Sequence, residues 1–300
     1  MRIKILARSR ANYSNRRFRE EAKRLRYKLT VSDPLDFDIV LGRATPMLYR
    51  NGRKADQCDV VTTRIGASIT NYALAVVSQF EMMGVPVVNN SISIIRTRNK
   101  LRCIQLMSRH DIDIPRTVVV RKPIDIPSAV EMVGGFPVIL KLLSGTQGVG
   151  VMLAETMQTI ESTLDTLWSL GQDILIQECV KESVGRDIRV IVVGGQVVAA
   201  MRRQARLGEF RSNIHRGGIG TPVELPKEYE RMAKQATKIV GLQIAGVDLL
   251  ESHEGPKVIE VNSSPGLEGV EAATGVNVAR KILQCLAAAA NQKNPMRKAL

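Results

Sequence analysis

The stretch that decides the fold is Ala245–Gly269, AGVDLLESHEGPKVIEVNSSPGLEG. Val247-Asp248-Leu249-Leu250 is apolar around one acid, and Lys257-Val258-Ile259-Glu260-Val261-Asn262 runs to a Pro265-Gly266 stop. Between them, Ser252-His253-Glu254-Gly255-Pro256 is turn chemistry. The reading is a two-strand hairpin. Strand side chains alternate between faces, so Glu260 and Asn262 share one. Asp248 and Glu260 lie equally far from Glu254, so a symmetric hairpin sets them opposite each other, about 5 Å apart at Cβ. Like charges facing across a ladder destabilise it unless a cation sits between them. Two carboxylates and an amide oxygen are hard donors suited to Mg2+, which completes its shell with water and phosphate oxygens. Taken alone, the D…ExN pattern is equally well explained by chance acids on a solvated hairpin face. The rest of the chain decides.

Composition sets the bounds. At 300 residues the chain exceeds one compact core and implies two or three subdomains. The 44% apolar fraction suits a soluble globular protein. Arg8 and Arg10 interrupt the apolar start before a signal peptide forms, and no apolar run is long enough to span a membrane. Cys58, Cys103, Cys179 and Cys285 are far apart, which argues against zinc and disulfides and for a reducing cytoplasm. The 43 Lys and Arg against 29 Asp and Glu give a net charge of +14, which favours an acidic partner. Aromatics are only 4%, so no stacking groove for single-stranded nucleic acid is expected. The basic runs Arg16-Arg17-Phe18-Arg19 and Lys23-Arg24-Leu25-Arg26 read as the solvated face of a helix.

In the first third, strands at Arg2–Leu6, Leu29–Val31, Cys58–Thr62 and Val85–Val88 alternate with helices at 13–27 and 69–83, the pattern of a parallel α/β layer. No GxGxxG follows the first strand, so a dinucleotide fold is not supported. Residues 91–109 read as one helix carrying Lys100. Strands follow at 117–120 and 136–141, separated by a helix at 127–133. The second leads from Lys141 into the glycine loop Gly145-Thr-Gln-Gly148-Val-Gly150, followed by another strand. This is not a P-loop, because the GK[ST] ending is missing. Its glycines permit positive φ and close backbone approach, so its N–H groups can form an anion-binding nest, with Lys141 as a point charge beside it. An ordinary glycine hairpin is the plainer explanation of the loop by itself.

Asp173–Lys181 is an apolar strand ending in Glu178-Cys179. Gly185–Arg203 is a hairpin turning at Gly194-Gly195, with Asp187 and Arg189 on one face. Gly208–Gly218 is a polar loop carrying Arg211, Ser212, Asn213 and His215, rich in the donors that phosphoryl and carboxylate oxygens need. His215 reads as structural. Residues 291–300 read as a flexible, basic tail.

Each piece is weak, but their order is not. A helix lysine, a lysine before a glycine hairpin, an apolar strand ending in Glu, a D-x-R strand, an R-x-N loop and then D…E-x-N resemble the ATP-grasp superfamily. GTQGVGVMLAE, FRSNIHRGG, AGVDLL and EVNSSPGLEG resemble the RimK family more closely, along nearly the whole chain. The resemblance implies an α/β (α+β) chain with the ATP-grasp fold. Residues 1–95 would be a parallel α/β pre-ATP-grasp domain. Residues 96–175, with the glycine loop, and 176–290, with the metal site, would clamp ATP between two α+β subdomains. It implies a ligase adding glutamate to the C-terminus of a small-subunit ribosomal protein through an acyl phosphate, with ATP and two Mg2+ or Mn2+, as a homo-oligomer that contacts neither nucleic acid nor membrane.

The family pattern implies roles for single residues. Lys100 and Lys141 would hold the triphosphate beside Gly145, Gly148 and Gly150. Glu178 and Cys179 would meet adenine, and Asp187 the ribose. Arg211, Ser212 and Asn213 would line the phosphate side, and Asp248, Glu260 and Asn262 would hold the metals. Arg202, with Lys141 and Asn213, would serve the chemistry, Arg202 facing the acyl phosphate and tetrahedral intermediate. The chain departs from the pattern at Asn99, where the family usually has Asp, and at Thr63, which precedes Arg64-Ile-Gly66 where proline is common. The same residues would serve a ligase for another acceptor, such as a lysine-biosynthesis carrier protein or a glutamyl coenzyme. A basic regulatory protein that only binds nucleotide is the reading from a different class.

Overall fold

The computed structural model describes residues 1–43, 46–66, 69–143, 150–206, 208–212 and 217–293. Gly145, Gly148, Asn213 and His215, singled out above, lie outside the described residues.

The N-terminal layer is a parallel sheet in the order β2 (Lys28–Ser32), β1 (Arg2–Leu6), β6 (Val60–Thr63), β7 (Val87–Val88). Alternation along β1 divides its side chains. Ile3 and Ile5 pack beneath Phe18 and Ala22 of α1 (Tyr13–Arg24), whereas Leu6 enters a second core with Phe80 of α2 (Thr70–Met82). Between β2 and β6 the chain forms a small antiparallel sheet, β3 (Phe37–Val40), β4 (Met47–Arg50) and β5 (Arg53–Lys54), which the sequence pattern leaves unassigned. Residues 91–109, expected as one helix, are two: α3 (Ser91–Arg98) and α4 (Lys100–Arg109). The break is at Asn99, which leaves helical geometry and caps α4 by accepting the Arg102 N–H at 2.9 Å.

The middle sheet runs β10 (Val151–Ala154), β9 (Val138–Leu142), β11 (Ile174–Glu178), β8 (Thr117–Val119). Val138 and Leu140 are buried against α5 (Ile126–Met132) and α6 (Met157–Ser169), the latter not anticipated from sequence. Ile139 and Lys141 therefore face the other way, toward the cleft.

The C-terminal sheet is antiparallel, in the order β14 (Ile219–Pro222), β13 (Gln196–Gln204), β12 (Arg186–Val193), β15 (Ile244–Ser252), β16 (Gly255–Asn262). The β12–β13 turn is Gly194-Gly195, both left-handed at φ 59° and 76°, as a tight right-twisted hairpin requires. One face, with Ile188, Val190 and Val247, packs on α7 (Lys227–Val240). The opposite face is apolar at one end, where Ile191, Ala199 and Ile244 lie beneath α9 (Val278–Lys293), and α8 (Glu268–Thr274) joins the same core. At its other end that face becomes charged. α9 extends to Lys293, into the stretch expected to be a flexible tail.

Candidate active site

The charged end of the C-terminal sheet and the exposed face of the middle sheet enclose an open cleft of about 1360 Å3. Ile139, Leu153 and Leu175 form an apolar wall on one side, and Leu250 and Val258 line the other.

Asp248 and Glu260 are directly paired across β15 and β16. The hairpin turn is the two-residue His253-Glu254, which by itself would set Asp248 opposite Ile259. A bulge at Ile259 takes up one residue and brings Glu260 into register. Asp248, 2% exposed, is gripped by two arginines. Arg189 donates through Nε to Oδ1 at 2.8 Å and through Nη2 to Oδ2 at 2.6 Å, and Arg203 Nη2 donates to Oδ2 at 2.9 Å. Burial alone would raise its pKa, but the two guanidiniums outweigh burial and lower it. Glu260 goes the other way. Burial and the neighbouring Asp248 charge raise its pKa against Arg189, Lys100 and Lys141. Among the described residues no hydrogen-bond donor reaches its carboxyl. Asn262 shares its face, opposite Gly246, where a Cβ would come within 2.9 Å of Pro265. A half-buried carboxyl without a donor among the described residues, beside a second carboxylate and an amide, fits a hard divalent cation.

Both lysines approach this group. Lys141 Nζ donates to Gln177 Oε1 at 2.6 Å. Burial brings its pKa down to about 8, with the Glu260 charge acting against the fall. Lys100, the first residue of α4, donates to the Leu142 carbonyl at 3.1 Å, and burial lowers its pKa too. Asn99 supplies the cap that Asp would supply, so this departure from the family pattern leaves the helix start intact. Gly150, at φ 74°, ends the glycine loop, and its carbonyl accepts the Leu142 N–H at 2.9 Å.

At the apolar end, Glu178 and Cys179 line the cleft just past β11. The Glu178 carboxylate accepts the Arg116 N–H at 2.9 Å and Lys257 Nζ at 3.3 Å, which ties the middle sheet to β16. Asp187 lies in the cleft wall with both oxygens engaged. Arg203 Nε donates to Oδ1 at 2.6 Å, and Ser212 Oγ donates to Oδ2 at 2.7 Å. Its carboxylate thus holds Arg203 in the cleft wall. Arg211 lines the cleft and pairs with Glu209 at 2.8 Å.

Arg202 is not brought to this group. It projects from the sheet face opposite Arg203 and pairs with Glu251 at 2.6 Å, in a separate recess with Glu182, Arg186 and His253. The residues that sequence reasoning passed over are Arg203 and the full role of Arg189. Equal-arm counting from Gly194-Gly195 sets Asp187 opposite Arg202. An irregularity between Ile191 and Val192 leaves Val198 unpaired and moves Arg203 into that place.

The N-terminal layer is locked onto the β15–β16 hairpin. The half-buried Arg64 donates to the Pro265 carbonyl at 2.6 Å and to Ser14 Oγ at 3.1 Å, and desolvation takes its pKa down to about 10. Asn89 clamps the start of β15 and the loop after β16, donating to the Ile244 and Ser263 carbonyls at 2.7 and 3.0 Å.

Comparison with known proteins places this arrangement. Residues 97–286 match the model of the RimK-like ATP-grasp domain, and residues 1–94 that of the RimK PreATP-grasp domain. A probable alpha-L-glutamate ligase of Aeromonas salmonicida is 48% identical over 98% of this chain and 99% of its own length. A probable alpha-L-glutamate ligase 1 of Shewanella denitrificans is 49% identical over 97% and 99%. Among solved structures, the ATP-grasp ligase PsnB complexed with minimal precursor superposes with a TM-score of 0.75 at 19% identity, covering 96% of this chain and 98% of that one. A D-alanine–D-alanine ligase from Bacillus anthracis complexed with ATP superposes at 0.67 and 17% identity, covering 99% of each chain. The fold is thus the ATP-grasp fold, and the chain belongs to the RimK-like ATP-grasp family.

Proposed function

We propose that this chain is an ATP-dependent carboxylate–amine ligase that adds glutamate to the C-terminal carboxylate of a small-subunit ribosomal protein. The supporting observation is the convergence of Lys100, Lys141, Arg189, Arg203, Asp248 and Glu260 at one end of a cleft whose other end is apolar. The triphosphate lies over the lysines, and adenine enters between Leu175 and Val258 against the backbone of Glu178 and Cys179. Relatives named for glutamate and a structural neighbour complexed with a precursor support glutamate as donor and a peptide end as acceptor. No described helix is long and apolar enough to cross a membrane. We propose that the protein acts in the cytoplasm as a homo-oligomer.

An oxygen of the acceptor carboxylate attacks the γ-phosphorus, the bond from that phosphorus to the bridging oxygen breaks, and ADP leaves. The glutamate amine then attacks the acyl carbon, the carbon–oxygen bond to phosphate breaks, and the nitrogen loses a proton. Lys100 and Lys141 hold phosphate oxygens as point charges. Arg203, anchored by Asp187, sits where negative charge accumulates. Asp248, Glu260 and Asn262 would hold Mg2+, two ions in this proposal with Mn2+ as a substitute, which would supply charge neutralisation at the phosphates.

The test is incubation of the protein with ATP, glutamate and a ribosomal extract, followed by mass spectrometry. Stepwise gains of single glutamyl residues on one small-subunit protein are expected, and hydroxylamine should trap the acyl phosphate as a hydroxamate. Glutamate-dependent ADP release with a different acceptor would overturn the ribosomal assignment. ATP binding without amino-acid-dependent ADP release would leave the regulatory reading standing.

A further inference from the structure

A second recess lies in the N-terminal layer, apart from the ATP cleft. It is lined by Lys4 of β1, Thr30, Val31 and Ser32 of β2, Arg50 of β4, and Arg10, Arg19 and Asp56, and it spans about 620 Å3 open to solvent. Its floor is unusual. Lys4 is 3% exposed, and among the described residues no hydrogen-bond acceptor or carboxylate pairs with its ammonium. The ammonium instead lies 5.4 Å from the centre of the Phe37 ring and 6.0 Å from that of Phe80. Among the described residues, the buried hydroxyl of Ser32, itself 1% exposed, has no partner, and neither does the buried Nε of Arg50. Buried polar atoms are nearly always satisfied, by protein or by something bound.

The charges of the recess are one-sided. Lys4, Arg10, Arg19 and Arg50 face it, with Asp56 the one carboxylate in its lining. Asp36 is occupied by Arg50, whose Nη2 it accepts at 2.8 Å. The nearby Cys58 thiol is pushed up by burial to about 11 and stays neutral at pH 7. Burial also lowers the Lys4 pKa, the cost of holding an ammonium out of water, with the Asp56 charge acting against the fall. Cation–π contact offsets only part of that cost, about 0.5–2 kcal/mol.

We infer that this recess is an oxyanion-binding site, taking a carboxylate or phosphate group onto the Lys4 ammonium, the Ser32 hydroxyl and the Arg50 Nε, with Arg10 and Arg19 at its mouth. The inference does not depend on the ligase assignment. β1 links it to the rest of the molecule: the Leu6 carbonyl accepts the Arg64 N–H at 2.8 Å, and Arg64 holds the Pro265 carbonyl beyond the metal strand.

The test is isothermal titration of the full chain with inorganic phosphate and, separately, with a triglutamate peptide. Saturable binding of either is expected, weakened at least tenfold by Lys4→Met and by Arg19→Glu, and unchanged by Arg231→Glu, an equally exposed reversal on α7. The rim variant Arg19→Glu keeps the test valid should Lys4→Met disturb folding. Binding of phosphate alone identifies phosphate groups as the source, and binding of the peptide alone identifies carboxylates; both support the site. Failure of both probes to bind, or binding that survives both Lys4→Met and Arg19→Glu, overturns it.

Discussion

Asp248 and Glu260 face each other across the last hairpin because Ile259 is a bulge. Were the ladder regular there, Ile259 would face Asp248, and Glu260 would pair with Val247 and point to the other face of the sheet. The two carboxyls then diverge. Arg189 and Arg203 hold the Asp248 pKa down, whereas desolvation and the Asp248 charge raise that of the half-buried Glu260.

Glu260→Gln should therefore lower kcat by at least about 100-fold while the fold survives, since the amide removes a carboxylate charge that no hydrogen-bond donor among the described residues holds. Steady-state ADP release together with a thermal melt checks both halves. Wild-type turnover in this variant would remove Glu260 from the chemistry.

Neighbouring arginines on β13 should behave differently. Arg203 is 3% exposed and holds Asp187 and Asp248 together. Arg203→Met leaves the buried Asp187 without its guanidinium and Asp248 with Arg189 alone, and should cost roughly 3–5 kcal/mol of stability, with activity lost. Arg203→Lys should not restore it, because one ammonium cannot reproduce the forked contact. Arg202→Met, which removes a half-exposed pair with Glu251, should change kcat less than threefold. Denaturant melts and initial rates on the three variants decide the matter.

Lys141 makes ATP binding sensitive to pH. Its pKa of about 8 in the fold lies below the unfolded value of 10.5. Below pH 8 it is protonated in both states, and the fold bears the whole burial cost. Between 8 and 10.5 the unfolded chain holds the extra proton, so this group's contribution to stability rises with pH. Phosphate binding needs the charged form, so ATP affinity should fall above pH 8, and binding there should take up a proton. Calorimetry in two buffers of different ionisation heat reads that uptake, and Lys141→Met should abolish it.

Gly150→Ala should damage the end of the glycine loop. An added Cβ would meet Leu142 side-chain atoms at 2.4, 2.6 and 2.9 Å, on a backbone at φ 74°. A loss of roughly 1–3 kcal/mol is expected, from left-handed strain plus overpacking, with a higher KM for ATP. An unchanged melting temperature and KM would show that the loop end tolerates a side chain.

Much of this was legible in the chain by itself. Hydrophobic alternation located β1, β9, β12 and β16, and the spacing of Asp248, Glu260 and Asn262 marked the carboxylate pair before any coordinates. Counting outward from Glu254 paired Asp248 with Glu260, yet the physical route is a two-residue turn plus a bulge, which give the same net register. In the neighbouring hairpin the same counting misleads. The irregularity at Ile191 and Val192 sets Asp187 opposite Arg203, and Arg202 turns to the far face. A bulge is a local adjustment to twist and packing, with no fixed residue signature, so period-two patterning does not reveal it.

Residue types and their order thus determined the family of fold and the chemistry of the donors. Tertiary structure alone decided which arginine enters the cleft and that Asn99 splits a helix at Lys100. It also left the Ser32 hydroxyl buried without a hydrogen-bond partner among the described residues, beside a Lys4 ammonium packed on the Phe37 and Phe80 rings. Those outcomes depend on strand register and on contacts between segments far apart in the chain, and a linear pattern carries neither.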